Sequence, residues 1–141
     1  ATEVEPAIQF VNYPPNLTDD ADAISEALHA IDDTINLQCI IALTETGYTA
    51  KLASGERPQA PIVAYTPDPK TYRRLSLNWG VRPVLMQFPK GTLEELLPKI
   101  EADLIQRKFA ATGDKVLVMG GVPMGKSGGT NFLKIHTICL Q

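Results

Sequence analysis

Short apolar runs alternate along this chain with longer stretches in which apolar residues recur every three or four positions. The clearest run, Cys-Ile-Ile-Ala-Leu at 39–43, contains no charged or hydroxyl residue. Such a run is typical of a strand buried on both faces of a parallel sheet. Near the end of the chain, two further runs rich in β-branched residues flank the glycine-rich segment 120–129. We expect strands on either side of that segment and a central strand at 39–43.

Helical periodicity appears first in the stretch that begins at Asp19. Its acidic residues Asp19, Asp20 and Asp22 favour the positive end of a helix dipole. A second helix is predicted after the capping box formed by Thr92 and Glu95. The first helix has its apolar face at Ala21, Ile24, Ala27, Leu28, Ile31 and Ile35, and the second at Leu96, Leu97, Ile100, Leu104 and Ile105.

Pro98 interrupts the second helical pattern. An internal proline removes one backbone hydrogen bond, which costs about 3 kcal/mol. We therefore expect a kink at Pro98, or a helix that begins near Leu97. Taken together, the alternation of strands and helices predicts an α/β fold with helices on both faces of a mostly parallel sheet.

The glycine-rich segment contains a pattern associated with nucleotide phosphates. Gly120 to Ser127 fits G-x-x-x-x-G-K-S, in which backbone amides and a lysine hold phosphate groups ahead of a helix. Here Gly128 and Gly129 follow at once, and each glycine destabilises a helix by about 1 kcal/mol relative to alanine. Too few residues remain for a crossover helix and another strand. The segment is better interpreted as a loop that returns an antiparallel last strand.

A second candidate loop follows the central strand. The segment 44–49 reads Thr-Glu-Thr-Gly-Tyr-Thr, and a short helical stretch comes after it. Hydroxyl groups and backbone amides at a strand-to-helix turn form a favourable place for an anion. The alternative is that these threonines only cap the helix. Spacing alone leaves both interpretations open.

Composition narrows the function classes. The formal net charge is −3 and 21% of the residues are charged, without a basic block, so neither nucleic acid nor an anionic membrane is an expected partner. No membrane-length apolar run or secretion signal is present. Cys39 and Cys139 are interpreted as reduced core thiols of a cytoplasmic protein, and the two histidines do not suggest a zinc site.

Several motifs together resemble the C-terminal domain of pyruvate kinases of the bacterial type. In that family a G-D-x-V-x-V strand leads into G-V-P-x-G-x-x-G-x-T-N and a last strand with L-x-K-x-H, as at 113–136 here. The upstream segments 57–66 and 77–81 are similar to the family's R-P-x-A-P-I-x-A-x-T and L-x-W-G-V. The resemblance covers residues 18–141, with 1–17 expected to be a linker or arm. It implies a five-stranded sheet of order 3-2-1-4-5 with strand 5 antiparallel.

The resemblance also implies a function. In eukaryotic members a T-x-S/T-G-x-S/T loop grips a phosphate of a sugar bisphosphate, and 44–49 matches that pattern. The family's catalytic groups, with Mg²⁺ and K⁺, lie in a separate barrel domain, so no catalytic residue, metal ligand or cofactor is expected here. Members are typically tetramers, which implies a homodimer for this domain. The predicted effector-binding residues are Thr44, Thr46, Gly47, Tyr48, Thr49, Gly125, Lys126 and Ser127.

Two function classes remain open at this point. The first is the regulatory and assembly domain of a pyruvate kinase, attached to its catalytic barrel. The second is a stand-alone module of the same fold that binds an anionic metabolite. The missing initial methionine favours an excised domain. Aromatic and arginine contacts for a second phosphate, expected around 93–103, are missing, so a monophosphate effector is favoured over fructose bisphosphate.

Overall fold

The computed structural model describes residues 17–78, 80–88, 93–120 and 132–139, with side chains described from Asp22 onward. Helices and strands alternate through most of this part of the chain. The predicted arm at 1–17 lies almost wholly outside the described residues. The elements in chain order are α1 (Leu17–Thr34), β1 (Cys39–Leu43), α2 (Tyr48–Gly55), β2 (Ile62–Thr66), α3 (Pro69–Leu75), β3 (Val81–Leu85), α4 (Leu93–Gln106), β4 (Lys115–Gly120) and β5 (Phe132–Thr137).

The strands form one five-stranded sheet in the order β3-β2-β1-β4-β5. Strands β3, β2, β1 and β4 are parallel, and β5 pairs with β4 in the antiparallel direction. Strand β1 lies at the centre, with Ile41 opposite Val63 of β2 and Val118 of β4. The predicted strand order and the antiparallel last strand are confirmed.

Alternate residues of the buried strands supply two separate cores. In β1, the side chains of Cys39, Ile41 and Leu43 join one core, and those of Ile40 and Ala42 join the other. The first core contains apolar residues of α4, while the second contains apolar residues of α1, α2 and α3. Helices therefore cover both faces, which is why β1 has no polar position. The predicted three-layer α/β/α class is confirmed.

The Thr66-Pro67 pair predicts a helix that begins at Pro67, with Thr66 as its cap. Helix α3 begins two residues later, at Pro69. Thr66 followed by proline resembles a helix start, but Thr66 is the last residue of β2 and pairs with Leu85 of β3. The cap is Asp68, whose carboxylate accepts a hydrogen bond from the Lys70 amide at 3.0 Å. Pro69 then occupies the first helical position, where its missing N–H leaves no gap in the helix.

Helix α4 runs continuously from Leu93 to Gln106 and includes Pro98. The expected alternative, a helix beginning near Leu97, is therefore wrong. Pro98 is exposed and is the sixth residue of the helix, so the carbonyl that loses its partner lies in the first turn. Water can satisfy a carbonyl near a helix end, which makes the proline tolerable there. In the part of the chain that the structure describes, no helix is long and apolar enough to cross a membrane.

Candidate anion-binding site

The threonine turn, residues 44–49, follows the carboxyl end of β1, and its first amide, that of Thr44, donates to the Tyr65 carbonyl of β2 at 3.0 Å. Strand β1 ends at Leu43, and Gly120 ends the neighbouring β4. A Cβ atom added to Gly120 would approach the Leu43 carbonyl oxygen to 3.2 Å and the Phe132 ring to 3.3 Å. A larger residue at position 120 would require these neighbouring atoms to shift by a few tenths of an ångström. The close approach brings the start of the turn beside the end of β4.

The glycine-rich loop starts and finishes at this same edge of the sheet. Gly120, the last residue of β4, pairs with Phe132, the first residue of β5. The predicted site residues Gly125, Lys126 and Ser127 fall between them and lie outside the described residues. Their part in the site therefore remains a prediction.

A short hydrogen bond joins two residues within the turn, Thr44 and Gly47. The Thr44 hydroxyl, which is buried, accepts from the Gly47 amide at 2.7 Å. Gly47 adopts φ +96°, a left-handed conformation that glycine reaches without steric penalty, and it caps α2. The Gly47 carbonyl then accepts from the Lys51 amide at 2.9 Å as α2 begins. Thr44 and Gly47 thus set the shape of the turn.

The other three predicted residues of the turn differ in exposure. Thr46 and Tyr48 are exposed, and the Tyr48 amide donates to the Thr46 hydroxyl over a long 3.4 Å. Thr49 is buried in the first turn of α2. The exposed residues of the turn are therefore Thr46, whose hydroxyl lies beside the start of a helix, and Tyr48. A hydroxyl and a helix amino end are suited to an oxyanion.

Sequence reasoning missed two side chains that hold this turn from α3. Thr71 is fully buried, and its hydroxyl donates to the Glu45 carbonyl at 2.8 Å. Arg74 donates to the Thr46 carbonyl at 3.3 Å. The signal available in the sequence was weak, since it consists only of a threonine and an arginine three positions apart on one helical face.

A second polar cluster joins α4 to the end of the chain. The buried carboxylate of Glu101 accepts from the Cys139 amide at 3.1 Å and lies 2.7 Å from His136 Nε2. Both cysteines are free, but Cys139 is exposed, so its interpretation as a core thiol is wrong. Among the described residues no group of three or more potential ligands is placed to hold a metal ion.

The architecture is that of an open three-layer α/β domain, with the threonine turn and the two described ends of the glycine-rich loop, Gly120 and Phe132, at one end of its central strands. The sequence profile of the family described as pyruvate kinase, alpha/beta domain, matches residues 22–136. The chain belongs to this family, which confirms the resemblance found in its motifs.

Two curated relatives show how much of a longer protein the chain matches. Pyruvate kinase from Lactobacillus delbrueckii subsp. bulgaricus is 38% identical over 117 residues, which cover 83% of this chain and 20% of that protein. Pyruvate kinase from Staphylococcus aureus (strain USA300) is 38% identical over 104 residues, covering 74% of this chain and 18% of that protein. The chain thus spans about a fifth of the length of these relatives.

Proposed function

We propose that the chain is the regulatory and assembly domain of a pyruvate kinase, a cytoplasmic glycolytic enzyme that converts phosphoenolpyruvate and ADP to pyruvate and ATP. Family membership and the two bacterial relatives support this assignment. The matched part of those relatives is about a fifth of their length, so catalysis, with Mg²⁺ and K⁺, is assigned to a barrel domain outside the match. This domain then binds a phosphorylated effector and is not itself catalytic.

The position of the threonine turn carries the proposal. Parallel α/β sheets bind ligands at the carboxyl ends of their strands, where neighbouring strands lead away in opposite directions. Strands β1 and β4 are neighbours that meet this condition. The chain goes from β1 to β2 on one side and from β4 to β5 on the other. The exposed residue Thr46 lies just beyond the end of β1. We assign the effector phosphate to residues 44–49, with the loop that contains Lys126 as the opposite wall.

The effector is proposed to be a monophosphate, such as a sugar phosphate or a nucleoside monophosphate. Each interaction with an exposed helix end contributes about 0.3–1 kcal/mol, so a single turn makes a weak site. The test is a titration of the whole chain with ribose 5-phosphate, AMP, fructose bisphosphate and inorganic phosphate, followed through backbone amide shifts. We expect the amides of 44–49 to move and Thr46→Ala to weaken binding. If millimolar ligand leaves those amides unmoved, the site is wrong.

The alternative is a stand-alone module that binds an anionic metabolite without a catalytic partner. The same turn would serve both, so the titration does not separate them. The length of the encoded protein does, since a barrel domain in the same chain supports the regulatory assignment. A pyruvate assay with phosphoenolpyruvate, ADP, Mg²⁺ and K⁺ should detect no turnover by the isolated chain. Turnover by purified material would contradict the non-catalytic assignment.

A further inference from the structure

The carbonyl side of the threonine turn is held by α3. Thr71 is fully buried and its single hydroxyl proton is donated to the Glu45 carbonyl at 2.8 Å. Asp68 Oδ2, at 3.3 Å, is a longer second acceptor for the same proton. Since the hydroxyl has only that one proton, the Thr71 oxygen can only accept from any other donor. It does so from Arg74 Nη2 at 3.0 Å. A buried hydroxyl therefore fixes the arginine to the helix that carries both residues.

The same Arg74 nitrogen reaches across to the turn. Nη2 also donates to the Thr46 carbonyl at 3.3 Å, so two consecutive carbonyls of the turn, those of Glu45 and Thr46, bond to α3. On the opposite side the Gly47 amide is bound by Thr44. With its carbonyls held toward α3, the turn keeps a constant orientation at the edge of the sheet.

Arg74 also brings a positive charge to the turn. The carboxylate of Asp68 lies 3.3 Å from the Thr71 hydroxyl oxygen that Arg74 binds, so it is near the guanidinium without forming an ion pair with it. In the described part of the chain, the ion pairs are made by other residues, and both recorded partners of Arg74 are neutral oxygens. A guanidinium has five N–H donors, and these two bonds use only those of Nη2. The remaining donors are suited to a phosphate oxygen, which an arginine binds by charge-assisted hydrogen bonds.

We infer that Arg74, which Thr71 positions, binds the phosphate at the anion site and gives the site a preference for doubly charged phosphate monoesters. The inference rests on the proposed function, because it concerns the ligand of the same turn. Phosphate monoesters pass from one to two negative charges near pH 6. A guanidinium beside the turn favours the dianion, so binding should tighten between pH 5.5 and pH 7.5.

The experiment measures the dissociation constant of ribose 5-phosphate for the whole chain at both pH values. Arg74→Gln removes the charge, and we expect about three- to tenfold weaker binding at pH 7.5 and a smaller loss at pH 5.5. Arg73→Gln is the matched control. It removes an equal charge from the preceding residue, which is exposed. Within the described part of the chain, the Arg73 side chain makes no hydrogen bond to the turn. Its affinities should equal those of the unaltered protein.

The positioning role has its own readout in the absence of ligand. Thr71→Val should shift the Gly47 amide resonance and weaken binding, while Thr71→Ser, which retains the hydroxyl, should restore both. Thermal melts identify any variant that fails to fold. Arg74→Lys keeps the positive charge but lacks the planar guanidinium, so it separates the effect of charge from that of the guanidinium geometry. If the chain binds no phosphate at the turn, the proposed function falls together with this inference. If it binds, but Arg74→Gln and Arg73→Gln behave alike at both pH values, only this inference is overturned.

Discussion

Lys108 adopts a backbone conformation that a lysine rarely takes. Its φ is +64°, and it follows α4 in a hydrogen-bonded end in which the Phe109 amide donates to the Leu104 carbonyl and the Lys108 amide to the Ile105 carbonyl. This arrangement is the Schellman motif, in which glycine is the preferred residue.

We expect Lys108→Gly to stabilise the fold by about 0.5–1 kcal/mol, because glycine reaches a positive φ without the steric penalty of a side chain. For a chain of this length the melting temperature should rise by about 2–4 °C. The matched control is Lys99→Gly, an exposed lysine inside α4, which should destabilise by about 1 kcal/mol. A melting temperature that falls in both variants would contradict the proposed relief of backbone strain.

The two thiols should differ sharply in reactivity. Burial, with a smaller contribution from the nearby Asp114 carboxylate, raises the pKa of Cys39 to about 12, whereas Cys139 is exposed. Only the thiolate reacts with disulfide reagents. At pH 8 we expect one thiol of the native protein to react quickly with a chromogenic disulfide and the second to react only after denaturation. Cys139→Ser should abolish the fast phase, and a fast phase that survives it would contradict the assignment.

At the scale of elements, a partly buried hydrogen bond joins β2 to α4. The Tyr65 hydroxyl of β2 donates to the Asp103 carboxylate at 2.7 Å, and Arg107 binds the same carboxylate. Burial first, and then this bond, raise the pKa of Tyr65 far above its ordinary value of 10. The folded state therefore holds the tyrosine proton more tightly than the unfolded state does.

Tyr65→Phe should lower the free energy of unfolding by about 1–2 kcal/mol at pH 7, because a hydrogen bond to a charged group is lost while Asp103 keeps Arg107. The raised pKa also means that the contribution of Tyr65 is complete below about pH 10 and is lost as pH rises further. Urea unfolding across pH 7–11 should show a shallower alkaline decline for Tyr65→Phe than for the unaltered protein. Titration of Cys39 also lowers the free energy of unfolding above about pH 9, equally in both proteins. If the free energy of unfolding fell with pH at the same rate in both, the contribution of Tyr65 would be contradicted.

The elements were predictable wherever one local pattern dominated. The five apolar residues of β1 identified a strand buried on both faces, and the residues remaining after the glycine-rich segment limited β5 to an antiparallel return. Prediction failed where two local signals competed. Both Thr66 and Asp68 precede a proline, and only the pairing of Thr66 with Leu85 in the sheet decides between them. That pairing is a tertiary fact with no local signature.

The site follows the same division between local and distant information. Thr44, Thr46 and Gly47 are close in sequence, so their turn and its likeness to a family loop were visible in the chain. Arg74 and Thr71 reach the turn from 26 to 28 positions away. Their contact depends on how α3 packs beside the end of β1, and propensity does not encode it. The distant residues that hydrogen-bond to a loop are therefore harder to predict than the loop itself.

At the scale of the whole molecule, the two edges of the described sheet are unlike. Strand β3 carries Pro83, which has no N–H to offer a further strand, and Arg82 lies 5.6 Å from the ring of Phe109. Proline on an edge strand discourages pairing with another chain. Strand β5 has no proline and exposes Ile135, which is 44% accessible. We propose that copies of the chain form a homodimer through β5, as two equivalent edges related by a twofold axis would allow.

Light scattering of the chain across micromolar concentrations should therefore report a dimer. Ile135→Lys places a charge on the proposed contact, and because two copies face each other across the axis, like charges would oppose association. We expect its dimer dissociation constant to rise at least about tenfold, equivalent to 1.4 kcal/mol. Leu85→Lys is the matched control, since Leu85 is 48% accessible on the opposite edge, and it should leave the dimer intact. A monomer at high micromolar concentration, or equal weakening by both variants, would rule out β5 as the contact.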